Sequence, residues 1–378
     1  MAERVRLGMV GGGADAFIGA VHRIAARLDG HYELVAGALS STPDKARASG
    51  EAVGLPRIYD TYAEMAKREA RRKDGIEAVA VVTPNHLHYA VAREFLKRDI
   101  DVICDKPLTG TLPEARRLAR LAERSKALFI LTHNYTGYPM IRQAREMVAD
   151  GELGRLRLVN VEYPQDWLTE PVEQQGVKQA EWRTDPDRSG TGGAIGDIGT
   201  HAFNLAQFVT RLELDRLSAD LDSFAPGRRL DDNAHVMLRF ESGVKGLLWC
   251  SQVAPGVENG LRLRIFGDRG GLEWFQEEPG RLWVTRHGEP KRLYTRNGAG
   301  ATPGNTASSR IPPGHPEGYL EAFANLYAEA AEAIRARREG RPAPANLLPS
   351  VNDGLRGVAF VDACVRSSAR DAAWVRPR

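Results

Sequence analysis

The sequence predicts an α/β domain with a doubly wound parallel sheet, followed by an α+β domain with a large, mainly antiparallel sheet covered by helices. Three observations predict it. Short apolar runs alternate with helical spacing over the first third of the chain. A glycine turn, Gly11-Gly12-Gly13, joins the first run to the first helix. After residue 134 the alternation gives way to consecutive strand-like runs separated by turn pairs such as Ser242-Gly243 and Arg269-Gly270. The expected domains are residues 1–133 and 134–378.

Val5 to Val10 is the first strand, and Ile18, Val21, Ile24, Ala25 and Leu28 then recur at helical spacing. A strand at Tyr32 to Leu39 and a helix opened by Thr42-Pro43 complete a βαβ unit. Helices are expected from Tyr62, after Thr83-Pro84-Asn85 and after Thr111-Leu-Pro113, with strands at Ala78–Val82, Asp101–Cys104 and Leu128–Thr132. Their Val, Ile and Ala content suits a sheet buried on both faces.

The second domain opens with a helix from Pro139 to Val148 and a strand from Leu156 to Tyr163. In Gly193-Ala-Ile-Gly-Asp197-Ile-Gly-Thr-His201 glycines give way to helical spacing, which puts a carboxylate and an imidazole on one expected helix face. Six strands follow between Leu217 and Thr285. Residues 296–316, rich in Gly, Pro, Ser, Thr and Asn, read as a long loop: a lid, an arm or a linker. Closing helices are expected over 319–338 and 351–366, the second with Ser350 and Asp353 in capping-box spacing.

Among 378 residues, 52 basic and 49 acidic side chains leave a net charge of +3, too small to favour nucleic acid or an anionic membrane. Cys104, Cys250 and Cys364 lie far apart without metal-like spacing, and no metal is expected. With no apolar run of membrane-spanning length, the chain reads as a soluble cytoplasmic protein with reduced thiols.

A glycine turn between a first strand and a helix lets backbone amides approach a pyrophosphate. Gly11-x-Gly13 is followed by Ala16 at the third spaced position, where alanine is allowed. Gly11 and Gly13, with Ala14, Phe17 and Ile18 at the helix entry, are candidate cofactor contacts. The second strand ends in Ser40 and Ser41 with Lys45 beyond, so no acid excludes a 2′-phosphate; the expected cofactor is NAD(P), with a lean to NADP.

With the glycine turn, Thr83-Pro84-Asn85-His86-Leu87-His88, Asp105-Lys106-Pro107 and Gly196-Asp197-x-Gly199-x-His201 in order, the chain resembles the Gfo/Idh/MocA family of oxidoreductases. Its members include inositol and sugar dehydrogenases and glucose-fructose oxidoreductase. The resemblance implies an N-terminal Rossmann domain, a small-molecule carbohydrate or cyclitol substrate, and a homodimer or homotetramer formed through the second sheet. It assigns Lys106 to cofactor and substrate together, with Asp105 where the family has glutamate, and Asp197 and His201 to substrate orientation and acid-base work. It places Thr83, Pro84, Asn85, His88, Asp105 and Asn134 at the cofactor, and Tyr135, Tyr163, Trp167, Trp182 and Arg183 at the substrate.

These residue types fit alcohol oxidation: His201 as base, Lys106 stabilising the alkoxide, and Asp197 bonding a neighbouring hydroxyl. Arg183 and Lys178 raise the prospect of an anionic sugar. Two alternatives stay open, a redox-neutral glycosidase that retains its nicotinamide and a non-enzymatic nucleotide sensor. Released NAD(P)H separates the dehydrogenase from both.

Overall fold

The computed structural model describes residues 3–14 and 16–378. The chain forms two compact units, residues 1–134 with 320–355, and residues 135–319 with 356–378.

In the first unit strands and helices alternate: β1 (Val5–Gly11), α1 (Phe17–Leu28), β2 (Tyr32–Ala38), α2 (Pro43–Ala52), β3 (Arg57–Ile58), α3 (Tyr62–Glu69), β4 (Ala78–Val82), α4 (His88–Leu96), β5 (Asp101–Cys104), α5 (Leu112–Arg124) and β6 (Phe129–Leu131). The strands order β3-β2-β1-β4-β5-β6, every pair parallel. This is the doubly wound Rossmann order, with its switch point between β1 and β4. All five side chains of β4 are buried, which explains their uniformly apolar character.

The second unit holds α6 (Pro139–Ala149), β7 (Leu156–Pro164), α7 (Lys178–Arg183), α8 (Pro186–Ser189), α9 (Thr200–Thr210), β8 (Leu214–Asp222), β9 (Asn233–Phe240), β10 (Lys245–Ser251), β11 (Arg262–Gly267), β12 (Gly270–Phe275), β13 (Arg281–Arg286), β14 (Arg292–Thr295) and α10 (Pro303–Ala307). Its sheet runs β14-β13-β12-β11-β7-β10-β9-β8, parallel only between β7 and β10. Helices α6 and α9 pack on one face. The pairs Met237–Leu247 and Phe266–Leu158 lie exposed in adjacent strands.

The closing helices are α11 (Tyr319–Arg338) and α12 (Val351–Ser368). The expected assignment of everything after residue 133 to the second domain is corrected for 320–355, which belong to the first unit. The reason is long-range packing. The Tyr32 hydroxyl donates to Tyr327 O at 2.9 Å, Arg337 pairs with Asp101 at 2.7 Å, and Phe323 meets the His22 ring at 5.1 Å. Burying Phe323 and Ile334 stabilises by roughly 1.5–3 kcal/mol each, and the Arg337 pair reaches a fully buried Asp101 carboxylate. Ser350 and Asp353 make the expected capping box: the Ser350 amide donates to Asp353 Oδ2 at 2.7 Å, and the Asp353 amide returns to Ser350 Oγ at 3.4 Å.

The loop at 296–316 closes on itself and contains α10. Arg296, only 4% exposed, pairs with Glu317 at 2.7 Å and donates to Ile311 O, Pro312 O and His315 O. Buried Asn305 donates to Gln143 Oε1 at 2.5 Å. All three cysteines are free and buried, Cys104 in β5 and Cys250 in β10. Among the described residues no helix is long and apolar enough to cross a membrane.

Candidate active site

The candidate cofactor residues of the first unit lie at or beyond the carboxyl ends of strands: Gly11 closes β1 and Gly13 follows it, Ser40 and Ser41 follow β2, Thr83 to Asn85 follow β4, Asp105 and Lys106 follow β5, and Asn134 follows β6. Ligands of such sheets lie along that edge, at the switch point. Gly11 and Gly12 take positive φ (75° and 66°). A Cβ on Gly19 would sit 2.3 Å from Gly12 O, so Gly19, and not Ala16 as the spacing suggested, lets α1 pack against the turn. Gly19 stands three positions beyond Ala16, inside α1, and the Ala16 amide bonds Gly13 O at 2.9 Å. A Cβ on Gly13 would press on Leu39 O and Ser49 Oγ, both at 3.0 Å, so this glycine lets the turn lie against the end of the second strand.

This geometry fits a dinucleotide. The first turn of α1 carries no acidic residue, its N-cap residue Ala16 makes no side-chain cap, and the glycines put no side chain over the turn, which suits an anion at the helix start. Phe17 is exposed beside it and Ile18 half-buried. Ser40 Oγ accepts the Thr42 amide at 3.2 Å, while Ser41 and Lys45 are exposed. Gly19→Ala is expected to cost about 1–3 kcal/mol through the clash with Gly12 O, read as a lower urea midpoint. The opened turn should also weaken NAD(P) binding.

Lys106 directly follows the Asp105 carboxylate, and its peptide bond to Pro107 is cis. Thr132 Oγ1 donates to Asp105 Oδ1 at 3.0 Å. His88 is fully buried, with Nδ1 2.7 Å from Pro107 O and Nε2 2.9 Å from Thr83 O. Burial pushes its pKa down, against the pull of the two carbonyls and Asp105. The expectation that His88 contacts cofactor directly is corrected: the ring ties the turns after β4 and β5 together and offers no polar edge outward. Asn85 and Asn134 are buried beside these turns, and burial lowers the pKa of neighbouring His133 to about 4.

In the second unit a π-helical turn, Ile195–Gly199, carries Asp197 and precedes α9, where His201 is 8% exposed. The single helix face expected for the pair is therefore widened at Asp197, a distortion common at functional sites. Half-buried Asp231 fixes the turn by accepting the amides of Gly193 at 2.6 Å and Ile195 at 2.8 Å. Burial raises Asp231 to about 6, against those two hydrogen bonds.

Asp197 Oδ2 accepts Gln252 Nε2 at 3.0 Å and lies 3.3 Å from Arg183 Nε, whose guanidinium sits 4.2 Å over the Trp182 ring. Arg183 is thus engaged by a carboxylate, which weakens the prospect of an anionic sugar. Around His201 the Tyr135 ring stands edge-on at 4.9 Å. Tyr135 and Tyr163 share a 2.5 Å hydroxyl contact, Tyr163 donates to Asn259 Oδ1 at 2.7 Å, Gln165 donates to the same oxygen at 2.8 Å, and Trp167 Nε1 donates to Gln165 Oε1 at 3.2 Å. Burial pushes Tyr135 up to about 12, so both phenols stay neutral and serve as hydrogen-bonding groups.

All seven candidate residues of this unit fall into these two linked clusters. Gln165, Asn259, Gln252 and Asp231 escaped the sequence reading. Gln165 and Gln252 had one usable signal, an amide directly after a strand, and the others had none.

Residues 5–133 match the profile of an oxidoreductase family with an NAD-binding Rossmann fold, and residues 141–273 match the GFO/IDH/MocA C-terminal domain. An oxidoreductase from Sinorhizobium meliloti is 61% identical, with TM-score 0.90 over 99% of this chain and 100% of that one. An inositol dehydrogenase homologue from Azotobacter vinelandii, solved with NAD+, is 38% identical, with TM-score 0.95 over 100% of this chain and 98% of that one. The same homologue with NADH and myo-inositol gives 37% identity and TM-score 0.91 over the same shares. Oxidoreductase YfiI of Bacillus subtilis is 33% identical over 99% of this chain and 97% of its own length. A Rossmann unit with a glycine cradle, a mainly antiparallel second sheet and these matches across both make the chain a member of the Gfo/Idh/MocA family of NAD-binding oxidoreductases.

Proposed function

We propose that this oxidoreductase interconverts a secondary hydroxyl and a ketone on a cyclitol, sugar or sugar derivative, with Lys106, Asp197 and His201 acting on one substrate. The observation that carries the reading is the polar lining around Asp197 and His201, where phenols, amides and an occupied guanidinium present hydrogen-bonding groups to a neutral polyol. The homologue solved with NADH and myo-inositol supports the substrate class.

Bound NAD(P) would accept the hydride leaving the carbinol carbon. The chain does the rest. His201 takes the hydroxyl proton, Lys106 stabilises the developing alkoxide, and Asp197, held by Gln252 and Arg183, bonds a neighbouring hydroxyl and fixes which carbon reacts. Carbinol and oxidised cofactor become ketone, reduced cofactor and a proton on His201. Polyols, aldoses and glycosides screened for cofactor reduction test this; glycoside cleavage without released NAD(P)H would contradict it.

Ser40, Ser41 and Lys45 leave a 2′-phosphate unopposed, which supports acceptance of NADP, whereas the homologue above holds NAD+. Ser40→Asp is expected to weaken NADP at least about tenfold while sparing NAD. Equal losses for both cofactors, measured by fluorescence titration, would contradict the assignment of Ser40. The exposed apolar pairs Met237–Leu247 and Leu158–Phe266 support a homodimer or homotetramer through the open sheet face.

A further inference from the structure

His22 on α1 is fully buried and has no part in the scheme above. Its Nδ1 lies 2.8 Å from the Tyr327 hydroxyl and its Nε2 lies 3.7 Å from Asp105 Oδ1. The rings of Phe323 and Tyr327 meet the imidazole edge-on at 5.1 and 5.8 Å, which fixes its orientation. Tyr327 is itself pinned, because the Tyr32 hydroxyl donates to its carbonyl at 2.9 Å.

The protonation pattern follows from these contacts. Burial holds the Tyr327 phenol far above its ordinary range, so its O–H is always present to donate. The Tyr327 contact alone accommodates either tautomer, and the Asp105 carboxylate facing Nε2 favours the ring proton on that nitrogen, which leaves Nδ1 to accept the phenol O–H. Burial alone would raise the Asp105 carboxyl, but His22, Lys106 and His88 together hold it well below the usual range, so it is an anion. Two groups from different elements therefore converge on Asp105 Oδ1: the His22 imidazole from α1, and Thr132 Oγ1 at 3.0 Å from the end of β6. The anchored carboxylate belongs to the residue immediately before Lys106.

We propose that His22, held as the Nε2–H tautomer between Tyr327 and Asp105, is a positioning residue for Lys106 and acts through the Asp105 carboxylate. The inference rests on the assignment of Lys106 to the reaction.

Two amide variants separate positioning from space filling. In His22→Gln the terminal N–H reaches about as far as Nε2 and still faces Asp105 while leaving Tyr327 unserved. In His22→Asn the amide reaches only as far as Nδ1, serving Tyr327 and abandoning Asp105. With NAD+ and myo-inositol, or the best polyol of the screen, His22→Asn is expected to lose about a hundredfold in kcat at unchanged KM, the scale of a displaced catalytic group. His22→Gln should recover most of that rate. The reverse order, or equal rates in both, would mean that His22 only fills space and satisfies Tyr327, and would overturn the inference.

Lys106→Ala measured alongside keeps the two readings apart. If it is as active as wild type, the assignment of Lys106 fails. If it is inactive while His22→Asn is fully active, the positioning role alone fails. A readout independent of activity and of variant folding is nitrogen NMR of histidine-labelled wild-type protein. His22 is expected as the Nε2–H tautomer, and an Nδ1–H tautomer overturns the proposal.

Discussion

His201→Ala is expected to lower kcat by about two to four orders of magnitude, the usual contribution of a positioned general acid-base group. The NAD(P) dissociation constant should stay near the wild-type value, because the imidazole, set beside Tyr135 and Tyr163, is assigned to the substrate and the glycine turn to the cofactor. Both phenols are held neutral by burial, so neither can replace the lost base near neutral pH. Steady-state kinetics with a saturating polyol provide the check. A loss smaller than about tenfold would mean that the hydroxyl proton leaves by another route.

Lys106→Ala should cost about two to three orders of magnitude in kcat, as removal of one donor to a developing oxyanion does elsewhere. Its effect is expected to be broader than that of His201→Ala. The lysine sits on the turn after β5, beside the turn after β4 that His88 ties to it, so its loss should also raise the cofactor KM. Lys106→Arg keeps the charge but replaces a compact ammonium with a planar fork, and should recover only part of the rate. Full activity in Lys106→Arg would point to charge alone and against a placed ammonium.

The fold was legible where chemistry is local. Ala78–Val82 reads as a buried strand because nothing polar interrupts it, and Ser350 and Asp353 announce a helix start because the capping contact spans three residues. Elements whose reason for existing lies elsewhere in the chain were not legible. Two-residue β3 forms only because β2 offers an edge, and α11 joins the first unit through contacts such as Tyr327 with His22, some three hundred positions apart. The glycine that packs α1 was not legible, because the motif spacing points to Ala16 while the close approach to Gly12 falls three residues later, at Gly19 within α1. In the candidate site, the ionisable residues stood out by type and motif. The amides of Gln165, Gln252 and Asn259 did not, since a polar residue at a strand end or turn looks the same whether it faces solvent or a carboxylate.

A crystal structure of the wild-type protein with NADH and myo-inositol, or with the best polyol of the screen, tests the central claim most directly. The account predicts one substrate hydroxyl within about 3 Å of both Lys106 Nζ and a ring nitrogen of His201, with an adjacent hydroxyl on Asp197. A polyol bound against the cofactor with His201 remote from every hydroxyl, or held without Lys106, would contradict it.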